Sequence, residues 1–309
     1  MRRPSVSSLP RLIARAALAI ARVALAIAAV ACLPAMADVA PPAGSPALAR
    51  IARAGVVHVG FIPTPGTFAF MGPDGQATGY SIDLCLHVID AIRRTLARPD
   101  LRIAWRPLEA AQRIPLLKAG TIDMDCGGNT NTVARQRDVD FSYTFFNTGV
   151  RFLVKKPLEV ESASSLLRAR IAVTQGTTAQ DIVRRLVVEM DATMVPVAND
   201  AQGVRLVESG QVAAFAQDDI LLYGLIATSP MRDQLQVSGR FLTVEPYAFM
   251  LPKGDVPLRD LVDRTFQVML QSGEVLALYR KWFDTDRLRV PMSVYMKENL
   301  AFPNRYGIP

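Results

Sequence analysis

Short apolar segments of strand length alternate with segments of helical periodicity along most of this chain, and that alternation limits its possible folds. Strand-like segments are found at 56–60, 122–126, 171–173 and 212–216. Strands separated by helices predict an α/β fold with mostly parallel sheets, in which ligands bind at the carboxyl ends of the strands. We therefore expect the functional site in the segments that directly follow these strands.

The first 37 residues predict an export signal. Arginines precede an apolar run at 23–33, and Ala35 and Ala37 form an A-x-A cleavage pattern. The run is shorter than the roughly 20 residues that span a bilayer. We therefore predict a periplasmic protein, with lipidation at Cys32 as the alternative. The Pro/Ala/Gly-rich leader at 38–47 is predicted to be disordered.

The net charge of +7 is largely a property of the export signal, which contains five arginines. The rest of the chain has 30 Lys and Arg against 28 Asp and Glu, without a basic run of the kind that follows phosphates. Nucleic acid is therefore not expected as a partner.

The histidines and cysteines suggest no cofactor. His58 and His87 are far apart, and no spacing typical of metal ligands is present, so we predict neither a metal nor another cofactor. Cys85 and Cys126 remain after cleavage. Export permits a disulfide between them, but the sequence leaves a buried free pair equally open.

The stretch that follows the second strand combines groups that can bind a carboxylate. Gly128 allows the backbone to approach a ligand, Thr130 offers a hydroxyl, and Arg135 lies at a predicted helix start. An arginine can hold a carboxylate through two parallel hydrogen bonds. A plain turn with a solvated arginine is the alternative.

Two further strand ends add complementary groups. Thr177 and Thr178 begin a helix whose first amides favour anions, unless the threonine only caps the helix. The buried strand at 212–216 is followed by Asp218 and Asp219, of which one carboxylate could cap the next helix and the other could neutralise an ammonium group. Together these groups describe a site for a zwitterion.

Several segments together carry a resemblance to a known family. They are GYSIDL at 79–84, RIPLL at 113–117, CGGNTNTVARQ at 126–136, TQGTT at 174–178, ESG at 208–210, FAQDDILL at 215–222, SGE at 272–274 and KWF at 281–283. In order and spacing the chain resembles, over about 48–290, the polar amino-acid family of periplasmic binding proteins. Its glutamate/aspartate-binding branch is the most similar.

The resemblance implies a two-lobed flytrap fold, with two mixed, mostly parallel sheets joined by a two-strand hinge. Lobe 1 would comprise 48–147 and a return segment with tail at 245–309, and lobe 2 would comprise 148–244. It also implies a monomer that captures a small amino acid and delivers it to an ABC permease in the inner membrane. Arg135, Thr130 and the amide of Thr178 would hold the α-carboxylate, and Asp218 the α-ammonium group.

The chain departs from the acidic-amino-acid binders at the positions that meet the ligand side chain. Those binders resemble this chain in having an arginine at the position of Arg113. They differ from it at four positions, where they have an arginine in place of Ile62, a histidine in place of Asp200, and serines in place of Ala110 and Gly128. The partners for a side-chain carboxylate are thus largely missing. We expect an amino acid that is not acidic.

Two other functions remain as alternatives to a non-catalytic carrier. The family resembles periplasmic cyclohexadienyl dehydratases, whose chemistry needs a general acid, and Asp200 could supply one. The chain could also be a sensor module for a separate membrane receptor.

Overall fold

The computed structural model describes residues 43–286 and 288–309. The predicted export signal and the first part of the predicted disordered leader lie outside these residues. The prediction of disorder is wrong at 45–47, because Ser45 caps helix α1 (Pro46–Ala54). Its hydroxyl accepts from the Leu48 amide and donates to Asp255, at 3.1 and 3.0 Å. This long-range anchor orders the end of the leader.

The first sheet forms the centre of lobe 1. Its six strands are β4 (Arg102–Pro107), β1 (Val56–Phe61), β5 (Met124–Thr130), β13 (Glu245–Pro252) and β6 (Val139–Phe141) in spatial order, with β7 (Phe146–Thr148) also paired to β13. A small hairpin, β2 (Phe70–Met71) with β3 (Ala77–Thr78), follows β1.

The second sheet forms the centre of lobe 2. Its five strands are β10 (Thr193–Val197), β9 (Arg170–Thr174), β11 (Ala214–Asp218), β8 (Val150–Lys155) and β12 (Leu235–Ser238) in spatial order. Two apolar cores cover its two faces, because alternate residues of each strand point to opposite sides of the sheet.

The fold class is α/β with two mixed sheets, as predicted, but parallel pairs are not in the majority. Pairs β1–β4, β1–β5, β9–β10 and β9–β11 are parallel. All antiparallel pairs of these two sheets involve β13 or β8. Each of these two strands begins at the cleft, because the chain has just crossed between the lobes, whereas the parallel strands end at the cleft. Both strands therefore run antiparallel to their neighbours.

Helices cover both sheets. They are α2 (Tyr80–Thr95), α3 (Arg113–Lys118), α7 (Val256–Ser272), α8 (Glu274–Phe283) and α9 (Val294–Ala301) in lobe 1, and α4 (Thr178–Glu189), α5 (Asp200–Glu208) and α6 (Asp219–Thr228) in lobe 2. Within the described part of the chain, no helix is long and apolar enough to span a membrane.

Two short crossings join the lobes and pack against each other. The first passes through Gly149, where a Cβ atom would lie 2.2 Å from the carbonyl oxygen of Thr243 in the second crossing, at 239–244. The amide of Leu242 also donates to the carbonyl of Val150 at 2.9 Å. The lobe boundaries predicted at 147 and 245 stay predictions, and each lies beside a crossing.

The question of the two cysteines is resolved by the structure. Cys85 of α2 and Cys126 of β5 form a disulfide, with their Cα atoms 6.0 Å apart. Both residues are fully buried. The bridge therefore fastens α2 to the strand that carries Gly128 and Thr130.

Candidate functional site

The two lobes meet at a polar cavity of about 30 Å³, and every predicted site residue lines it. The lining consists of the ten predicted residues Ile62, Ala110, Arg113, Gly128, Thr130, Arg135, Thr177, Thr178, Asp200 and Asp218, together with Thr64, Thr174, Gln217 and Leu221, which were not predicted. The carboxyl ends of β1, β5, β9 and β11 carry most of these residues. Parallel strands of both sheets thus bring distant parts of the sequence together.

Arg135 presents a cation at the end of β5. Its Nη1 donates to the carbonyl of Thr130 at 2.9 Å, and its Nη2 donates across the cleft to the carbonyl of Gly176 in lobe 2 at 3.3 Å. Burial and the nearby Arg113 lower the pKa of Arg135 to about 10. The guanidinium therefore stays charged at neutral pH, in a position to bind an anion.

The amino end of α4 faces the same cavity. Thr177 is the N-cap, and its hydroxyl accepts from the amide of Gln180 and donates to the carbonyl of Thr174. This side chain is therefore engaged in capping, which is the alternative that the sequence allowed. The hydroxyl of Thr178 donates to Glu245 of lobe 1 at 2.8 Å. Glu245 lies far along the chain and was not among the predicted site residues.

Asp218 supplies a buried carboxylate opposite these groups. The hydroxyl of Tyr247 donates to its Oδ2, whereas Oδ1 is buried without a hydrogen-bond partner among the described residues. Burial, reinforced by the neighbouring Glu245, raises the pKa of Asp218 well above its usual range. A buried acceptor without a donor is costly, so a cationic donor at Oδ1 would stabilise the ionised form.

Tyr247 explains why position 128 is a glycine. A Cβ atom at Gly128 would lie 2.5 Å from Cε2 of Tyr247. The ring is fully buried, with Phe68 and Phe146 packed against it at centroid distances of 5.3 and 6.4 Å. No local signal in the sequence indicated Tyr247, because only the return of the chain as β13 places it beside β5.

Arg113 is held by the protein at all three of its nitrogens. Nε donates to the carbonyl of Ala110 at 2.9 Å, Nη1 to Oδ1 of Asn129 at 2.6 Å, and Nη2 to the carbonyl of Gly176 at 3.3 Å. Burial lowers its pKa, and Asp125 partly opposes that shift. Arg113 therefore lines the cavity and also links residues of both lobes through its hydrogen bonds.

Asp200 faces the cavity and not the solvent. The N-cap of α5 is Asn199, and Asp200 accepts from the hydroxyl of Thr174 at 2.6 Å and from Nε2 of Gln217 at 2.8 Å. Both donors bind Oδ1. Burial raises the pKa of Asp200, and these two hydrogen bonds oppose the shift. Thr174 and Gln217 lie within the segments 174–178 and 215–222 that carry the family resemblance, so the sequence could have indicated them.

Apolar groups and close backbone contacts form the remaining wall. Ile62, Ala110 and Leu221 line the cavity. A Cβ atom at Gly176 would lie 2.9 Å from the amide nitrogen of Ala111, so the lobes are in direct contact there. Over residues 43–286 and 288–309, no group of three His, Cys, Asp or Glu side chains could hold a metal ion.

Two lobes joined by two crossings, with a charged cavity between them, define a solute-binding protein of the flytrap type. Residues 57–285 match the family model described as bacterial extracellular solute-binding proteins, family 3. The chain belongs to that family.

Named relatives cover most of the chain. The L-glutamate/L-aspartate-binding protein of Pseudomonas aeruginosa is 32% identical over 83% of this chain and 88% of its own length. The glutamate/aspartate import solute-binding protein of Escherichia coli is 35% identical over 81% of this chain and 83% of its own length.

A similar solved structure bears on the alternative functions. It is an ancestral amino acid-binding protein described as a precursor of cyclohexadienyl dehydratase, with a TM-score of 0.65 and 26% identity. The alignment covers 76% of this chain and 98% of the solved chain.

Proposed function

We propose that this protein is exported to the periplasm, captures an amino acid between its lobes and delivers it to an ABC permease. The observation that carries the proposal is the pairing of opposite charges in one cavity. Arg135 is held at one side, and at the other side Oδ1 of Asp218 is buried without a donor among the described residues. The import functions named for the relatives support the same role.

An amino acid satisfies both sides of the cavity at once. Its α-carboxylate would accept hydrogen bonds from Arg135, from Thr130 and from the amide of Thr178 at the start of α4, where the helix dipole favours an anion. Its α-ammonium group would donate to Oδ1 of Asp218. A charged donor there would compensate the buried carboxylate.

The pocket for the ligand side chain favours a neutral or amide group over a carboxylate. Asp200 contributes an anion, Ile62 and Ala110 contribute apolar surface, and Arg113 already donates to three protein acceptors. Like charges at close range cost several kcal/mol. The site therefore differs in selectivity from the relatives named for glutamate and aspartate.

A competition experiment tests this selectivity. The purified protein is first screened by thermal shift against the twenty common L-amino acids, and competition calorimetry then ranks L-glutamine, L-serine, L-alanine, L-glutamate and L-aspartate. We expect L-glutamine to bind more tightly than L-glutamate. Asp200→Asn should narrow the difference by removing the anion. If L-glutamate displaces the other amino acids at the lowest concentration, the proposed selectivity is wrong.

We favour a carrier over an enzyme, because the named relatives are binding proteins. Asp200 could act as a general acid only if its proton reached a substrate in the cleft, whereas its Oδ1 already accepts two internal hydrogen bonds. Incubation with prephenate, followed by an assay for phenylpyruvate, separates the two functions, since sustained turnover would contradict a carrier. Sedimentation analysis should show the expected monomer.

A further inference from the structure

The C-terminal tail at 302–308 lies against the loop that carries Arg135. This loop, at 131–136, is called the ligand loop. The amide of Ile308 donates to the carbonyl of Asn131 at 3.0 Å, and the amide of Val133 donates to the carbonyl of Ile308 at 2.9 Å. The tail therefore pairs with the ligand loop as a short parallel bridge.

Side chains of the ligand loop reinforce this pairing. Nδ2 of Asn131 and Nε2 of Gln136 both donate to the carbonyl of Arg305, at 3.0 and 3.1 Å. Gln136 also donates to Oδ1 of Asn131 at 2.8 Å, and Asn131 is fully buried. The first and last residues of the ligand loop thus share one acceptor in the tail.

The tail is itself anchored to the body of lobe 1. Arg305 forms an ion pair with Asp263 of α7 and lies over the ring of Tyr143, 5.0 Å from its centroid. The carbonyl of Asn304 accepts from the amide of Thr144 at 2.9 Å. These contacts connect the ligand loop to α7 through the tail.

The ligand loop supports itself only through short-range hydrogen bonds, in which the amides of Gln136 and Arg137 donate to the carbonyls of Thr132 and Ala134 at 2.9 and 3.3 Å. Arg135 begins a 3₁₀ turn of three residues, Arg135–Arg137, and a turn this short is not stable in isolation. Within the loop, the hydroxyl of Thr132 accepts from the Arg135 amide at 3.0 Å. On the side away from β13, the tail supplies the backbone partners that buried amides and carbonyls need.

We propose that the tail at 302–308 is a positioning element of the amino-acid site. It holds the ligand loop so that Arg135 points into the cleft, because a binding group must be held within about half an ångström of its productive geometry. The inference rests on the proposed function. The family match ends at residue 285, so the positioning element lies beyond it.

A substitution at Gly307 can displace the tail from the ligand loop without removing any side chain that forms a hydrogen bond. A Cβ atom there would lie 2.9 Å from the amide nitrogen of Val133 and 2.9 Å from Nε2 of Gln136, and Gly307 does not adopt the left-handed conformation. Gly307→Val should therefore push the tail off the loop by contact alone. Ile308→Pro is the second variant, since it removes the amide donor. Tyr306→Ala is the control, because that side chain is 81% exposed.

Hydrogen exchange measures the position of the loop without any ligand. Peptides covering 131–137 should exchange at least about tenfold faster in Gly307→Val and Ile308→Pro than in the wild type. This corresponds to a decrease of about 1.4 kcal/mol in the free energy of local opening. Exchange at 214–222 in lobe 2 should stay unchanged, and Tyr306→Ala should match the wild type. Unaltered exchange at 131–137 in both variants would overturn the proposal.

A double-mutant cycle shows whether the tail acts through Arg135. Calorimetry with L-glutamine should show about tenfold weaker binding in Gly307→Val, and no further loss when Gly307→Val is added to Arg135→Ala. Losses that simply add would mean that the tail has only a general structural role, and would overturn the proposal. If the wild type binds no amino acid at all, the proposed function fails, and the exchange of 131–137 alone decides the role of the tail.

Discussion

Replacing Arg135 with alanine tests the zwitterion site most directly. The guanidinium donates to the carbonyls of Thr130 and Gly176. Neutral hydrogen bonds contribute about 0.5–1.5 kcal/mol each, and bonds from a charged donor contribute somewhat more. Because the side chain is only partly buried and both acceptors are backbone carbonyls near the cleft, the folded state should survive the change.

The effect on binding should be much larger than the effect on stability. Removing one partner of a buried, hydrogen-bonded charge pair costs about 2–5 kcal/mol, which is roughly 30-fold to a few thousandfold in affinity. Arg137→Ala is a matched control, since this arginine lies in the same 3₁₀ turn but is exposed and outside the cavity. Arg135→Lys should fall between wild type and alanine, because lysine keeps the charge and loses the bidentate geometry.

Isothermal calorimetry with the tightest amino acid from the thermal-shift screen gives the affinities, and urea titration gives the free energy of unfolding. Near-wild-type affinity in Arg135→Ala, within about threefold, would refute the assignment of the carboxylate partner. Equal losses in the Arg135 and Arg137 variants would also refute it, because a general loss of positive charge would then explain the data.

Three further outcomes follow from the geometry of the cleft. Burial raises the pKa of Asp200 above the unfolded value of about 3.9, so the protonated carboxyl favours the folded state at low pH, and this stabilisation is lost as pH rises through the folded pKa and the carboxylate ionises. Asp200→Asn should therefore flatten the fall in melting temperature as pH rises above about 4, and equal slopes in the variant and the wild type would count against this account. Gly128→Ser should destabilise the protein by about 1–3 kcal/mol in urea titration, because the added atoms overlap the ring of Tyr247, and an unchanged midpoint would contradict that packing. The site lies between two lobes that are joined by two crossings, so small-angle scattering should show a smaller radius of gyration with ligand than without, and an identical radius at saturation would argue against hinge closure.

Local sequence patterns predicted which segments carry the site. The apolar segment at 56–60 indicated a strand, and the structure has β1 at Val56–Phe61. Strand ends with glycine, threonine and aspartate indicated the cavity, since the carboxyl ends of parallel strands meet at one edge of a sheet. The predicted end of the second strand at residue 126 was wrong. In the structure β5 continues to Thr130, because Asn129 and Thr130 pair with β13.

The partners of the site residues depended on the tertiary structure. Tyr247 reaches Asp218, and Glu245 reaches Thr178, only because the chain crosses back to lobe 1 as β13. The pairing of Cys85 likewise required α2 to pack on β5. Apolar periodicity depends only on residues that are neighbours in the sequence, so helices and strands can be predicted from the sequence alone. Contacts between residues far apart in the chain depend on how the strands are ordered in the sheets, and no local pattern records that order.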